Sequence, residues 1–244
     1  MVSTVMPPTA TRAVAGFCLA VVLAAPLVCQ TTAADVIHGI DASVLSREQN
    51  LSAYTVTEHY AVFRGQDKTH SVADMTVKTT YQKNNGKSYE ILSQSGSEII
   101  RKQILLRILD SERTATVPTN RSTALIDSAN YTMRVKGSEI VGGRSCVALA
   151  VEPRRKGQYL FQGDIWVDAH DGSIVQLSGY TAKSPSVFAG PTQIARQYAM
   201  IDGFPMATHA SATSQSWLFG QTTIEIGYTD YRIERSSPVA ADSR

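Results

Sequence analysis

The chain has 244 residues, a hydrophobic share of 43%, and 23 basic against 21 acidic side chains. So even a charge balance leaves no electrostatic footprint for nucleic acid. Three cysteines in this length exclude a disulfide framework and a thiolate-rich zinc or iron–sulfur site.

The N-terminus comes first in chain order. Arg12 precedes an uncharged apolar run over 13–28, and the small residues Thr31, Thr32, Ala33 and Ala34 follow. This is the three-part layout of a secretory signal peptide, and the run is too short for a permanent membrane span. Residues 1–34 are therefore expected to be removed, leaving one domain over 35–244. A retained anchor and lipid attachment at Cys29 are the competing readings. Val28 is larger than the small residue that usually precedes a lipidated cysteine. Cys146 alone remains after processing.

Two segments have helical periodicity. Over 35–49, Val36, Ile37, Ile40, Val44 and Leu45 recur at three- and four-residue spacing. A second helix is predicted to open at Ser95-Gly96-Ser97-Glu98, read as a capping box. Ile99, Ile100, Ile104, Leu105, Ile108 and Leu109 then form an apolar arc wider than one sheet-facing stripe needs.

The remainder alternates as strands do. Tyr54, Val56, Tyr60 and Val62 share one face, as do Met75, Val77 and Tyr81. Turns are read at Lys83-Asn84-Asn85-Gly86, Gly142-Gly143, 168–172 and Asp202-Gly203. The last strand alternates most clearly, with Ile224, Ile226 and Tyr228 against Thr223, Glu225 and Thr229. About ten strands joined mostly by short turns predict a mainly β fold, a curved antiparallel sheet with two helices.

Catalytic motifs are missing: no Gly-x-Ser-x-Gly elbow, no phosphate-binding glycine loop and no His-Glu-x-x-His. No catalytic residue, metal or cofactor is predicted. Asp168, His170 and Asp171 have metal-capable side chains, but a hairpin tip accounts for them. Glu58 stands among inward-facing neighbours, and either a buried acid or a rim position fits. Arg154, Arg155 and Lys156 form the only dense basic cluster, read as a solvated loop or as a docking patch for an anionic head group or acidic partner. The tyrosines, Trp166, Trp217, Phe188 and Phe204 fit a core or a cavity lining.

From Ser95 onward the order of short motifs resembles a known family. The pieces are 103–109 leading to Glu112, Asn130-Tyr131, 163–168, 183–186, 202–205 and 226–231. They are similar to the exported outer-membrane lipoprotein-sorting proteins, the LolA-like group with the receptor LolB and the regulator RseB. The resemblance implies an incomplete, half-open β-barrel of about ten or eleven strands, with helices covering the open face. The implied ligands are acyl chains of lipids or lipoproteins, held in a periplasmic, non-enzymatic, monomeric protein without lasting membrane contact. Ile100, Ile104, Ile108 and Phe188 are then expected at the cavity and its lid. An RseB-like module binding another envelope protein is the alternative.

Overall fold

The computed structural model describes residues 1–2, 32–183, 191–216 and 220–236. The main compact unit runs from Thr31 to Arg244. It opens with helix α1 (Ala33–Asn50), capped reciprocally by Thr32 and Asp35. This cap lies upstream of the processing boundary expected after Ala34.

Ten strands follow: β1 (Leu51–Arg64), β2 (Ala73–Gln82), β3 (Gly86–Gly96), β4 (Tyr131–Val141), β5 (Arg144–Pro153), β6 (Phe161–Asp168), β7 (Ile174–Thr181), β8 (Gln193–Ile201), β9 (Phe204–Ser216) and β10 (Gly220–Arg235). They pair antiparallel in the order β3-β2-β1-β10-β9-β8-β7-β6-β5-β4. β1 pairs with β10, so the chain's first and last strands meet in the middle, and β3 and β4 are left as edges. The sheet does not close. Its form agrees with a half-open barrel.

Between β3 and β4 lies a helical segment, α2 (98–116), followed by the short α3 (Pro118–Arg121). Ser97 caps α2, its side chain accepting from the Ile100 amide. Ser95 and Gly96 end β3 instead of starting the helix, which corrects the predicted cap position by two residues.

Inside α2, Arg101–Leu105 is a π-helical turn. Buried Ile100 and Leu105 are five residues apart, while Leu105 and Leu109 are four apart. The wider turn absorbs that extra residue and keeps all three on the packed face. Ile99 and Leu106 fall outside it and are exposed. The wide arc read from the sequence thus combines a packed stripe with one outward residue, Ile99.

The interior holds two apolar clusters. One joins β1, β2, β9 and β10 to α2; the other joins β5, β6 and β7 to α1 through Ile40. No helix among the described residues is long and apolar enough to cross a membrane.

Candidate functional site

A cavity of about 460 Å³ lies between the two clusters, within the range of small-molecule sites. Val44 of α1, Leu125, Ile126 and Ile174 form its apolar lining on one side, and Pro205, Met206 and Ala207 add to it from β9. Six tyrosines, at 54, 81, 159, 198, 228 and 231, supply its aromatic surface. Tyr54 stacks on Tyr81 at 5.1 Å between ring centres.

Two close backbone approaches involve cavity-lining residues, Thr116 and Gly172. Gly86 has φ of +80°, and a Cβ there would lie 2.9 Å from the Thr116 carbonyl carbon. This glycine lets the C-terminal end of α2 sit directly on the β2–β3 turn, where the Lys87 amide donates to Thr116 Oγ1 at 2.9 Å. At the other side, a Cβ on Gly172 (φ +69°) would lie 2.4 Å from the Gly39 carbonyl. α1 therefore rests against the β6–β7 turn.

A charged cluster lines the same space. Glu58 is fully buried on the inward face of β1, between Val56 and Tyr60. The buried-acid reading holds, and the rim position does not. Its Oε2 accepts from the Tyr60 hydroxyl, and its Oε1 lies 3.7 Å from Lys87 Nζ. Lys87 Nζ also donates to Glu112 Oε2 at 2.6 Å, and the Tyr89 hydroxyl donates to that oxygen at 3.3 Å. Arg196 reaches Glu112 Oε1 at 3.6 Å. One turn of α2 and three strands thereby converge on four charges of both signs.

Electrostatics follows from the pairing. Burial raises the Glu112 carboxyl, but Lys87 and Arg196 outweigh that and hold it below the usual glutamate range. Burial would lower Lys87, yet Glu112 and its neighbours keep its ammonium well above the ordinary lysine value. Burial, then the charges of Glu112 and Glu58, push the Tyr60 hydroxyl up. Two cavity-lining residues each carry a buried side-chain oxygen without a hydrogen-bond partner among the described residues: Glu58 Oε1 and the Tyr159 hydroxyl.

Near α3 a second polar group forms. Arg121 donates to the Tyr81 hydroxyl at 2.5 Å and to the Lys83 carbonyl, and it pairs with Glu48 at 3.6 Å.

Glu58 and six tyrosines apart, the described residues singled out from the sequence as site candidates lie away from this cavity. Ile100, Ile104 and Ile108 pack on the β1–β2–β10 cluster and are not among the cavity's lining side chains. Phe188 and Trp217 lie outside the described residues. Arg154 donates to the Ser128 carbonyl and Arg155 to the Thr123 carbonyl, so both tie the β5–β6 loop to 122–130, while Lys156 is exposed. Trp166 faces outward and donates to Glu139, and Phe204 belongs to the core beneath Arg235. Asp168 accepts from the His170 amide and from Arg144, and Asp171 from the Ser173 amide, the hydrogen bonding of a hairpin tip.

Sequence reasoning noticed Glu58 but missed Lys87 and Arg196. Lys87 could have been found by extending the inward register of β3 from Tyr89, two residues on. Arg196 carried no such signal.

Comparison with solved structures returns several matches of low sequence identity. A LolA superfamily protein from Nitrosomonas europaea matches with a TM-score of 0.46 and 10% identity, over 85% of this chain and 95% of that one. An outer-membrane lipoprotein-sorting protein domain from Vibrio parahaemolyticus matches at 0.45 and 13%, over 78% and 89%. A DUF1329 family protein from Desulfovibrio piger matches at 0.41 and 13%, over 82% and 93%. The likeness is one of fold. No protein-family model matches the sequence, and no curated protein does.

Proposed function

We propose that this chain is an exported, non-enzymatic binding protein of the bacterial envelope that takes acyl-bearing lipids, free or attached to protein, into its central hollow. The observation that supports it is the cavity itself, about 460 Å³ between two separate cores and partly walled by aliphatic side chains of α1, 124–126 and β9. Transfer of an acyl chain from water to such a wall is favourable by ~0.8 kcal/mol for each buried methylene. The lipoprotein-sorting resemblance agrees with this reading, and so does the signal-peptide layout of 1–34.

The test is recovery of ligand. Delipidated protein is incubated with vesicles of bacterial lipid, repurified and extracted, and the extract is analysed by mass spectrometry. Stoichiometric acyl lipid is expected. Recovery no greater than from an unrelated β protein would refute the reading.

The β3 edge favours a second reading. Ile91 and Leu92 lie exposed on this edge strand, Leu92 being the extra residue of a bulge opposite Thr76 and Val77. An edge of that kind can accept an added strand from an envelope protein. Capture of a stoichiometric protein partner by lipid-free protein would favour this regulatory role over carriage.

A further inference from the structure

We infer that the hollow takes an amphiphile with one negative charge at its head, a free fatty acid being the simplest, and that Arg47 and Arg121 hold its carboxylate. The inference rests on the acyl-binding reading and names the head group it would take. Charge, exposure and layout carry it.

The lining has four cationic side chains, Arg47, Lys87, Arg121 and Arg196, against three carboxylates, Glu48, Glu58 and Glu112. One positive charge is in excess, and the contacts locate it. Lys87 and Arg196 match Glu58 and Glu112, two against two. In the remaining group Glu48 alone stands between two guanidinium groups, 3.8 Å from Arg47 and 3.6 Å from Arg121. Both separations exceed a hydrogen bond's length, so this carboxylate saturates neither fork. Glu48 is also the one ion-pair partner of Arg47 among the described residues. The Tyr81 hydroxyl marks where the two cations converge: Arg121 donates to it at 2.5 Å, and the charge of Arg47 reaches it.

Both arginines keep accessible surface, with side chains 31% and 14% exposed. A carboxylate placed there retains part of its hydration and escapes the full cost of burying a charge. The planar guanidinium offers it paired N–H donors in matching geometry. The layout suits an amphiphile as well. Val44 lies one turn before Arg47 on α1, and Ala124, Leu125 and Ile126 follow Arg121 by three to five residues. Each arginine thus adjoins an aliphatic piece of the wall, along which the acyl chain would run. An ammonium head meets the surplus positive charge and is repelled, and an uncharged head leaves that surplus unanswered.

Displacement of an acyl probe with an uncharged fluorescent head tests this on the full chain at about pH 8, where a carboxyl is ionised. The competitors share one chain length: laurate, monolauroylglycerol and dodecylamine. Laurate is expected to displace the probe at a concentration about tenfold or more below the other two, the discrimination that a charge-assisted hydrogen bond gives. In Arg47→Gln that preference should shrink while monolauroylglycerol binds as before. Glu48→Gln carries the opposite prediction and serves if Arg47→Gln fails to fold. With the competing carboxylate gone, laurate should bind several-fold tighter and monolauroylglycerol the same. An unchanged laurate preference in either folded variant overturns the head-group inference. Equal displacement by all three in the native chain overturns it too, as does preference for monolauroylglycerol or dodecylamine, and these results leave the acyl-binding reading standing. No displacement by any of the three overturns both.

Discussion

Lys87 is the residue on which the charged cluster depends most. It contacts both buried carboxyls, Glu112 at 2.6 Å and Glu58 at 3.7 Å, with 12% of its side chain exposed. Lys87→Met leaves both without their shared cation, and breaking a buried pair from one side costs about 3–5 kcal/mol. Denaturant unfolding of the variant should show a loss of that order; a loss within the range of an exposed pair would contradict the geometry. Acid should act on the same contacts. Glu112 lies below its ordinary value of 4.5 in the folded chain, so its stabilising contribution is present above that value and disappears as pH falls through the lowered one. The melting temperature should decline on acidification below about pH 4.5, and Glu112→Gln, less stable at neutral pH, should show a flatter decline. Equal slopes for the two proteins would show that other groups carry the acid response. Little of this cluster was legible in advance. Its members sit at 58, 87, 112 and 196, each unremarkable locally, and only the folding of three strands and a helix turn brings them together.

At the scale of elements, periodicity was a good guide and end signals were weaker. The strands announced themselves because one face is buried and the other wet: β2 alternates buried and more exposed residues almost without a break. α2 was harder to read, since a π turn inside it breaks the 3.6-residue rule by which its apolar arc was judged. Ile104 consequently packs on a core cluster. Ile104→Glu is expected to lower the melting temperature, since it places a charge against that core; a variant that melts like the native chain but fails to bind acyl probe would instead make Ile104 part of the site. Gly86→Ala should destabilise markedly, because φ of +80° and a 2.9 Å approach to Thr116 leave no room for a methyl group. At the N-terminus, Thr32→Ala removes the side chain that caps α1, with an expected loss of about 1 kcal/mol. Export processing that preserves this cap would cleave before Thr32, so intact mass of the secreted protein should place its first residue there or earlier. A mature chain starting at Asp35 would contradict that.

At the largest scale, the described residues form a ten-stranded open sheet whose helices help complete two apolar clusters instead of one. The alternating strands and the family resemblance made that architecture legible, because both depend on short-range pattern. The hollow between the clusters was not legible in the same way. Its lining mixes aliphatic, aromatic and charged side chains from α1, α2, the 124–126 segment and seven strands, so no local run of sequence describes it. Such a mixture suits an amphiphile better than a bare hydrocarbon chain, because its polar end finds polar partners there. Ala115 of α2 lines the hollow, and Ala115→Phe would fill part of it while leaving all four charged side chains unsubstituted. The most direct measurement is equilibrium binding of a fluorescent fatty acid to native protein and to this variant, with melting curves for both. The account predicts saturable binding by the native chain and loss of about tenfold or more in affinity for a variant of similar melting temperature, as expected when a ligand's space is occupied. Equal affinity in the two folded proteins, or no binding by the native chain, would contradict it.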